Sequence, residues 1–417
     1  MRRYVLPNGL VVIVQPIEHA VSASVGLWIQ SGSREERPDE YGYAHFVEHM
    51  LFKGTSRFSA LEMARVIDRV GGQHNAATNK EYTCFYINIM SDYIQTAVDI
   101  LSDMFYNPLF DETEIEREKE VVLEEIRMYE DTPDEHIHDL FTEAVFNNHP
   151  LAHQILGTVD TVGSITRDRL LSFYETHYTT SNTVLVAAGK IDGHVFDGLI
   201  QSYFSGSRTS AERLPIQQNP PKRRFSMHIP RELEQVHFCM GVDGFPKTSC
   251  RRWPLFLIST VLGGSMSSRL FQRLREQEGL CYSVYSFHSS YKDAGLFGIY
   301  CGTSLEKYER AVKLILDELD NMVHKGIGDS ELADAKTLVK GNLALSLESI
   351  EVRMGQLARD EINFGRFYSF DEIVANVFAV SRQDIMETLF ELFAEKRLTH
   401  VSIGKNENVQ HTELTVT

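Results

Sequence analysis

Cysteine, long apolar runs and positive charge are all scarce in this chain, and each shortage excludes something. The five cysteines (Cys84, Cys239, Cys250, Cys281 and Cys301) are odd in number, widely spaced and without a CxxC pair. That pattern argues against a disulfide framework or a cysteine-rich metal centre and fits a reducing compartment. No apolar segment reaches the ~18 residues of a membrane span. The opening MRRYVLPNGLVVIV puts two arginines before a run too short for a signal peptide, so a cytoplasmic protein without membrane association is expected. With 41 basic against 58 acidic residues the formal charge is −17, which repels a phosphate backbone and argues against nucleic acid as a partner. Cationic partners would be drawn in instead. No GxGxxG opens a helix, so a doubly wound dinucleotide fold is not indicated.

At 417 residues the chain is long enough for two or three domains of ~150 residues each, so a core forms without disulfide or metal staples. Residues 205–224, SGSRTSAERLPIQQNPPKRR, hold Pro215, Pro220 and Pro221 with few large apolar side chains. They read as a linker between a first domain over 1–204 and a second over 225–417. The two sides repeat one order of features. Laying Gly54 on Gly264, an offset of 210, places HFVEHMLFKGT on LFLISTVLGGS. The helical apolar pattern persists, but His45 meets Leu255, Glu48 meets Ile258 and His49 meets Ser259. Further on, an offset of 217 puts Glu118 on Ala335 and Glu125 on Asn342. A repeat this long exceeds the periods of solenoids and propellers. It implies a duplicated unit, one copy of which kept its polar residues while the other is degenerate.

In the first half, strands are expected over 3–16, 21–31 and 82–90, and helices over 41–53, 59–70, 92–105 and 111–130. Short turns join several neighbouring strands, the first at Pro7, Asn8 and Gly9. The fold class that follows is α+β, with two homologous domains, each a largely antiparallel sheet packed with helices.

The stretch Tyr43 to Thr55, YAHFVEHMLFKGT, packs His45, Glu48 and His49 onto one helical face at i, i+3 and i+4. Two neutral imidazoles four residues apart can bind one Zn²⁺, and a carboxylate beside them can act as general base toward water. A lone histidine on an apolar face is more often a hydrogen-bonded core residue. Three ionisable groups among Ala44, Phe46, Val47, Met50 and Leu51 are costly to bury unless paired or metal-bound. A catalytic zinc needs a third protein ligand. Most glutamates of DETEIEREKEVVLEEIRMYE form a solvated face, but Ile115, Glu118, Val122, Glu125 and Ile126 share one stripe. Either Glu118 or Glu125 could serve.

HFVEHMLFKGT, an inverted HExxH, resembles the inverzincin signature of the pitrilysin and insulin-degrading enzyme family, above all its shorter branch of mitochondrial processing peptidase and bacterial relatives. LPNGLVVIV near the start, GGQHNAATNKEYTCFY at 71–86, EREKEVVLEEI at 116–126 and LGGSMSSRLFQRLREQEGLCYSVYS at 262–286 extend the resemblance over nearly the whole chain. It implies a zinc endopeptidase carrying one Zn²⁺ per chain on His45, His49 and Glu125, with Glu48 as general base and Glu118 supporting catalysis from beside the site. It also implies an exposed edge strand that takes an extended peptide through Asn75 and Ala76. Arg275 and Tyr282 would reach the substrate and help stabilise the oxyanion. Members of that family close a chamber from four homologous domains. This chain has two, so the resemblance implies a dimer, expected to be a homodimer in which Arg275 and Tyr282 of one chain serve the zinc of the other. Peptides or unfolded segments are the implied substrates, and the acidic charge favours basic ones. The alternatives are a non-catalytic core-type subunit or a peptide-binding module of the same fold.

Overall fold

Val11–Pro16, Ser22–Ile29 and Thr183–Gly189 are rich in apolar and β-branched residues, and they form the middle of a sheet rather than its edge. The computed structural model describes residues 1–209, 226–395, 397–405 and 414–416. Beyond residue 209, the linker expected at 205–224 lies outside the described residues. Its first part is tied down, since Asn8 Nδ2 and Tyr106 Oη both donate to the carbonyl of Gly206, at 2.6 and 2.8 Å.

The first sheet holds β1 (Arg2–Val5), β2 (Val11–Pro16), β3 (Ser22–Ile29), β4 (Gln73–Thr78), β5 (Thr83–Met90) and β6 (Thr183–Gly189), in the order β1-β2-β6-β3-β5-β4. The second holds β7 (Ser226–Pro230), β8 (Gln235–Asp243), β9 (Cys281–Ser290), β10 (Gly295–Ser304) and β11 (Thr399–Gly404), in the order β7-β11-β8-β10-β9. All pairings are antiparallel except β2 with β6 and β7 with β11. The order β2-β6-β3-β5-β4 maps strand for strand onto β7-β11-β8-β10-β9, so the repeat read from the sequence is a repeat of topology. β4 and β9 are equivalent edge strands.

The helices of the first half are α1 (Tyr43–Leu51), α2 (Ala60–Arg69), α3 (Ile94–Tyr106), α4 (Glu112–Glu130), α5 (Pro133–Phe146), α6 (Val159–Gly163), α7 (Arg167–His177) and α8 (Gly193–Tyr203). Those of the second are α9 (Arg252–Gly263), α10 (Leu305–Lys325), α11 (Asp329–Ser346), α12 (Ile350–Phe364), α13 (Phe370–Ala379) and α14 (Arg382–Leu392). Among the described residues no helix is long and apolar enough to cross a membrane.

Two compact units result, and they do not follow the sequence halves. The first gathers Met1–Met128, the chain from His153 and the segment Leu345–Phe367; the second takes Tyr129–Ala152 with most of the later chain. Each half therefore lends one helix to the other unit. The reason is that a central strand such as β6, buried along its whole length, needs cover on both faces. In the first unit one face packs on α1, α3 and α7 through residues such as Phe46, Leu101 and Tyr174. Its other face is closed by Met354, Leu357 and Ala358 of α12 against Ile13, Trp28 and Val184. In the second unit Ile137, Phe141 and Val145 of α5 lie on Cys239, Tyr300 and Val401 in the same manner.

Candidate active site

The histidine-bearing helix α1 begins without a side-chain N-cap. Gly42 precedes it at φ +92°, and a Cβ there would fall 2.6 Å from the Leu156 carbonyl oxygen, so glycine is required on both steric grounds. The buried helix-end donors are met from outside the helix: Gly42 N–H donates to Glu36 Oε2 at 3.0 Å and Ala44 N–H to Glu36 Oε1 at 2.7 Å. Burial pushes the Glu36 carboxyl well up, against the pull of these two backbone bonds and of Lys80. Phe46, Val47 and Met50 are fully buried beneath α1. That anchoring fixes where the polar face points.

On that face His45 Nε2 and His49 Nε2 lie 3.2 Å apart. Glu125 Oε2, from α4, is 3.9 Å from the first and 3.7 Å from the second. The stripe predicted on α4 is present, with Ile115, Glu118, Val122 and Ile126 buried and the Glu125 side chain about one-third exposed. Glu118 takes a different position from Glu125: its Oε1 accepts from His49 Nδ1 at 2.7 Å and its Oε2 from Lys53 Nζ at 2.5 Å.

Electrostatics separate the two imidazoles. Burial and the neighbouring His49 lower the pKa of His45 to about 3, so it is neutral. Burial also disfavours protonated His49, but the hydrogen bond and charge of Glu118, with Glu125 and Glu48, outweigh it and leave that pKa raised. Burial would raise Glu118 too. His49 and Lys53 overcome it and hold the carboxyl below its ordinary value. With Nδ1 of His49 committed to Glu118, the proton this ring can lose is the one on Nε2, and losing it bares a lone pair toward His45 and Glu125.

The donor set fits a zinc ion. Tetrahedral ligands ~2.0–2.1 Å from a zinc lie about 3.3 Å from one another, close to the 3.2 Å between the imidazole nitrogens and a little less than the two distances to Glu125. Among the described residues His45 Nδ1 is buried without a hydrogen-bond partner, so no polar contact there on that nitrogen explains the ring's place in the fold. Among the described residues only His45, His49 and Glu125 form such a group; three protein donors are the number that a catalytic rather than a structural zinc uses. His74 is exposed and lies beside Phe52, ring centroids 5.2 Å apart, outside the cluster.

Glu48 sits beside this group without joining it. Its Oε2 accepts from Thr78 Oγ1 at 2.5 Å, and burial raises its pKa while the Thr78 bond resists. Thr78 ends β4, the outermost strand of its sheet. Gly71, at φ +64°, releases the chain into β4, where Asn75 and Ala76 stand opposite Tyr86 and Phe85. One edge of β4 has no strand partner among the described residues.

Arg275 and Tyr282 belong to the second unit, where they touch each other. Arg275 lies in a π-helical stretch, Phe271–Gln277, and its guanidinium carbon is 4.7 Å from the Phe271 ring centre and 4.5 Å from that of Tyr282. Ser283 pairs with Gly302 and Cys281 with Thr303, leaving Tyr282 as the extra residue of a β-bulge. The bulge turns its ring outward, 77% exposed.

Sequence reasoning passed over Lys53, Thr78 and Glu36. The first two lie within motifs already singled out, FKGT and NAAT. A lone polar residue has no periodicity to mark it, and its partner is 30 or more residues away for Thr78 and 65 for Lys53 with Glu118.

Comparison with known proteins agrees with this geometry. Residues 11–159 match the family described as insulinase (peptidase family M16), and 164–339 match the peptidase M16 inactive domain. The chain is 40% identical to the uncharacterized zinc protease YmxG of Bacillus subtilis over 95% of its own length and 96% of the relative's. An uncharacterized zinc protease of Streptomyces coelicolor is 37% identical over 92% of this chain and 85% of the relative. In fold, the chain is similar to a protease from Helicobacter pylori, with a TM-score of 0.90 at 21% identity, covering 96% of this chain and 98% of the other. A peptidase M16 inactive domain from Pseudomonas fluorescens gives 0.90 at 20% identity, covering 99% of both chains. The two matched regions and the 40% identity over nearly the full length of a relative make this chain a member of peptidase family M16, the insulinase family.

Proposed function

We propose that the protein is a zinc-dependent endopeptidase that cleaves peptides or unfolded segments. The observation that carries this reading is the convergence of His45 Nε2, His49 Nε2 and Glu125 Oε2 beside the carboxylate of Glu48. His45, His49 and Glu125 would hold the ion. When bound, zinc supplies Lewis acidity that acidifies water and polarises a carbonyl.

The chain's own groups divide the remaining work. Glu48 takes the proton of the attacking water as its oxygen bonds to the carbonyl carbon, then gives that proton to the amine as the C–N bond breaks. Glu118 holds His49 by Nδ1 and fixes its orientation. β4 takes the extended substrate along its open edge, with Asn75 and Ala76 supplying main-chain bonds that are indifferent to sequence. Arg275 and Tyr282 supply donors to the developing oxyanion.

The chain acts as a homodimer that closes a chamber, with Arg275 and Tyr282 of one chain serving the zinc of the other, and the net charge of −17 favours basic peptides. Support for the dimer is that both the zinc-ligand pattern and the Arg/Tyr pair are present in this one chain. The test is metal analysis with a peptide-cleavage assay. One zinc per chain, cleavage lost on chelation and restored by zinc is the expected result; a chain that binds no zinc, or cleaves equally well without it, contradicts the proposal.

A further inference from the structure

Glu48 is held by one specific side-chain donor, and that donor is on the strand proposed to bind substrate. We infer that Thr78 is a positioning residue for the general base: its hydroxyl holds Oε2 of Glu48 and so sets how the carboxylate meets the attacking water. This inference rests on the endopeptidase reading and adds to it a register between base and substrate.

Three observations combine. Thr78 Oγ1 donates to Glu48 Oε2 at 2.5 Å, and the Thr78 main chain bonds the same carboxylate. Thr78 is the last residue of β4 and pairs with Thr83, and Thr83 is itself fully buried with its hydroxyl donating to the Ser31 carbonyl at 2.9 Å. The main chain of Thr78 is therefore fixed by the sheet, and its β-branched side chain has few rotamers. Glu48, in contrast, is a long side chain on a helix face, with three torsions to restrain.

The tether gives the base the same frame of reference as the peptide. A substrate that adds to the edge of β4 is registered residue by residue on that strand, and the carboxylate beside it is bonded to the strand's own end. A bond of this kind to a charged group is worth about ten- to a hundredfold in an equilibrium, and a base misplaced by about 1 Å loses rate to a similar degree.

The experiment compares zinc-loaded wild type with Thr78→Val and Thr78→Ser, using an unstructured fluorogenic peptide and reading kcat, KM, zinc stoichiometry and melting temperature. Valine keeps the shape, the branching and the main-chain bond to Glu48 but removes the hydroxyl donor. Expected for Thr78→Val is a kcat lower by about ten- to a hundredfold, with KM within about twofold and zinc content and melting temperature unchanged; Thr78→Ser should recover most of the loss. In a Glu48→Gln background the valine substitution should change residual turnover less than about twofold. Wild-type kcat in Thr78→Val overturns the inference, as does a serine variant no better than valine or a loss seen only as raised KM or lost zinc. Those outcomes leave an active, Glu48-dependent wild type and so spare the endopeptidase reading. A zinc-loaded wild type that cleaves nothing, or a fully active Glu48→Gln, overturns both.

Discussion

His49 and Glu118 are joined through Nδ1 and Oε1 at 2.7 Å, and the other Glu118 oxygen is joined to Lys53 at 2.5 Å. Glu118 therefore orients one imidazole, whereas Glu125 faces both imidazole nitrogens. Replacing Glu125 by Gln should weaken zinc binding more than replacing Glu118 by Gln, with the Glu118 change costing about ten- to a hundredfold. Competition with a chelator measures both. The reverse ranking would mean the third ligand is Glu118.

Glu36 holds the entry of α1 by two backbone bonds. Glu36→Ala strands two buried N–H groups and should lower the stability of the metal-free protein by about 2–4 kcal/mol. Urea unfolding measures the difference; a change below about 0.5 kcal/mol would show that the helix end finds other partners.

The dimer proposal predicts complementation. A His45→Ala chain and an Arg275→Ala/Tyr282→Ala chain should each be nearly inactive alone, yet regain activity when mixed into dimers that carry one intact combination of sites. No recovery in verified mixed dimers counts against sites shared across chains.

A pH effect should arise in the second unit. Burial pushes the Glu331 carboxyl up, but Arg269, at 2.7 and 2.5 Å, and the Gly328 N–H hold it below its ordinary value of 4.5. A carboxyl depressed by folding adds stability that is present above the unfolded value and fades as pH falls through the folded one. Glu331→Gln should thus be less stable than wild type at pH 7, and the gap should narrow steadily as the solution is acidified below about pH 4.5. A gap that widens on acidification contradicts this assignment.

Much of this architecture was legible because periodicity carries it. The i, i+3, i+4 spacing of His45, Glu48 and His49 survives as one helical face, and the stripe through Ile115, Glu118, Val122 and Ile126 is the buried side of α4. Comparing LFLISTVLGGS with HFVEHMLFKGT anticipated a duplicated unit, and the two sheets share their strand order. Periodicity says which side of an element is buried but not against what. The exchange of α5 and α12 between units was therefore hidden: both are amphipathic helices in the right place to pack on their own half. The parallel pair β2 with β6 was hidden for a related reason, since it joins Val11 to Val184, far beyond the reach of local turn signals. Thr78 and Lys53 became visible only once the chain had brought them to Glu48 and Glu118.

The most direct test of the account is Glu48→Gln, measured for peptide binding and for cleavage with zinc bound. Removing only the base should leave zinc content and peptide affinity within about twofold of wild type while lowering the cleavage rate by about a hundred- to ten-thousandfold. Cleavage at the wild-type rate by this zinc-loaded variant would contradict the assignment of Glu48 and, with it, the proposed chemistry.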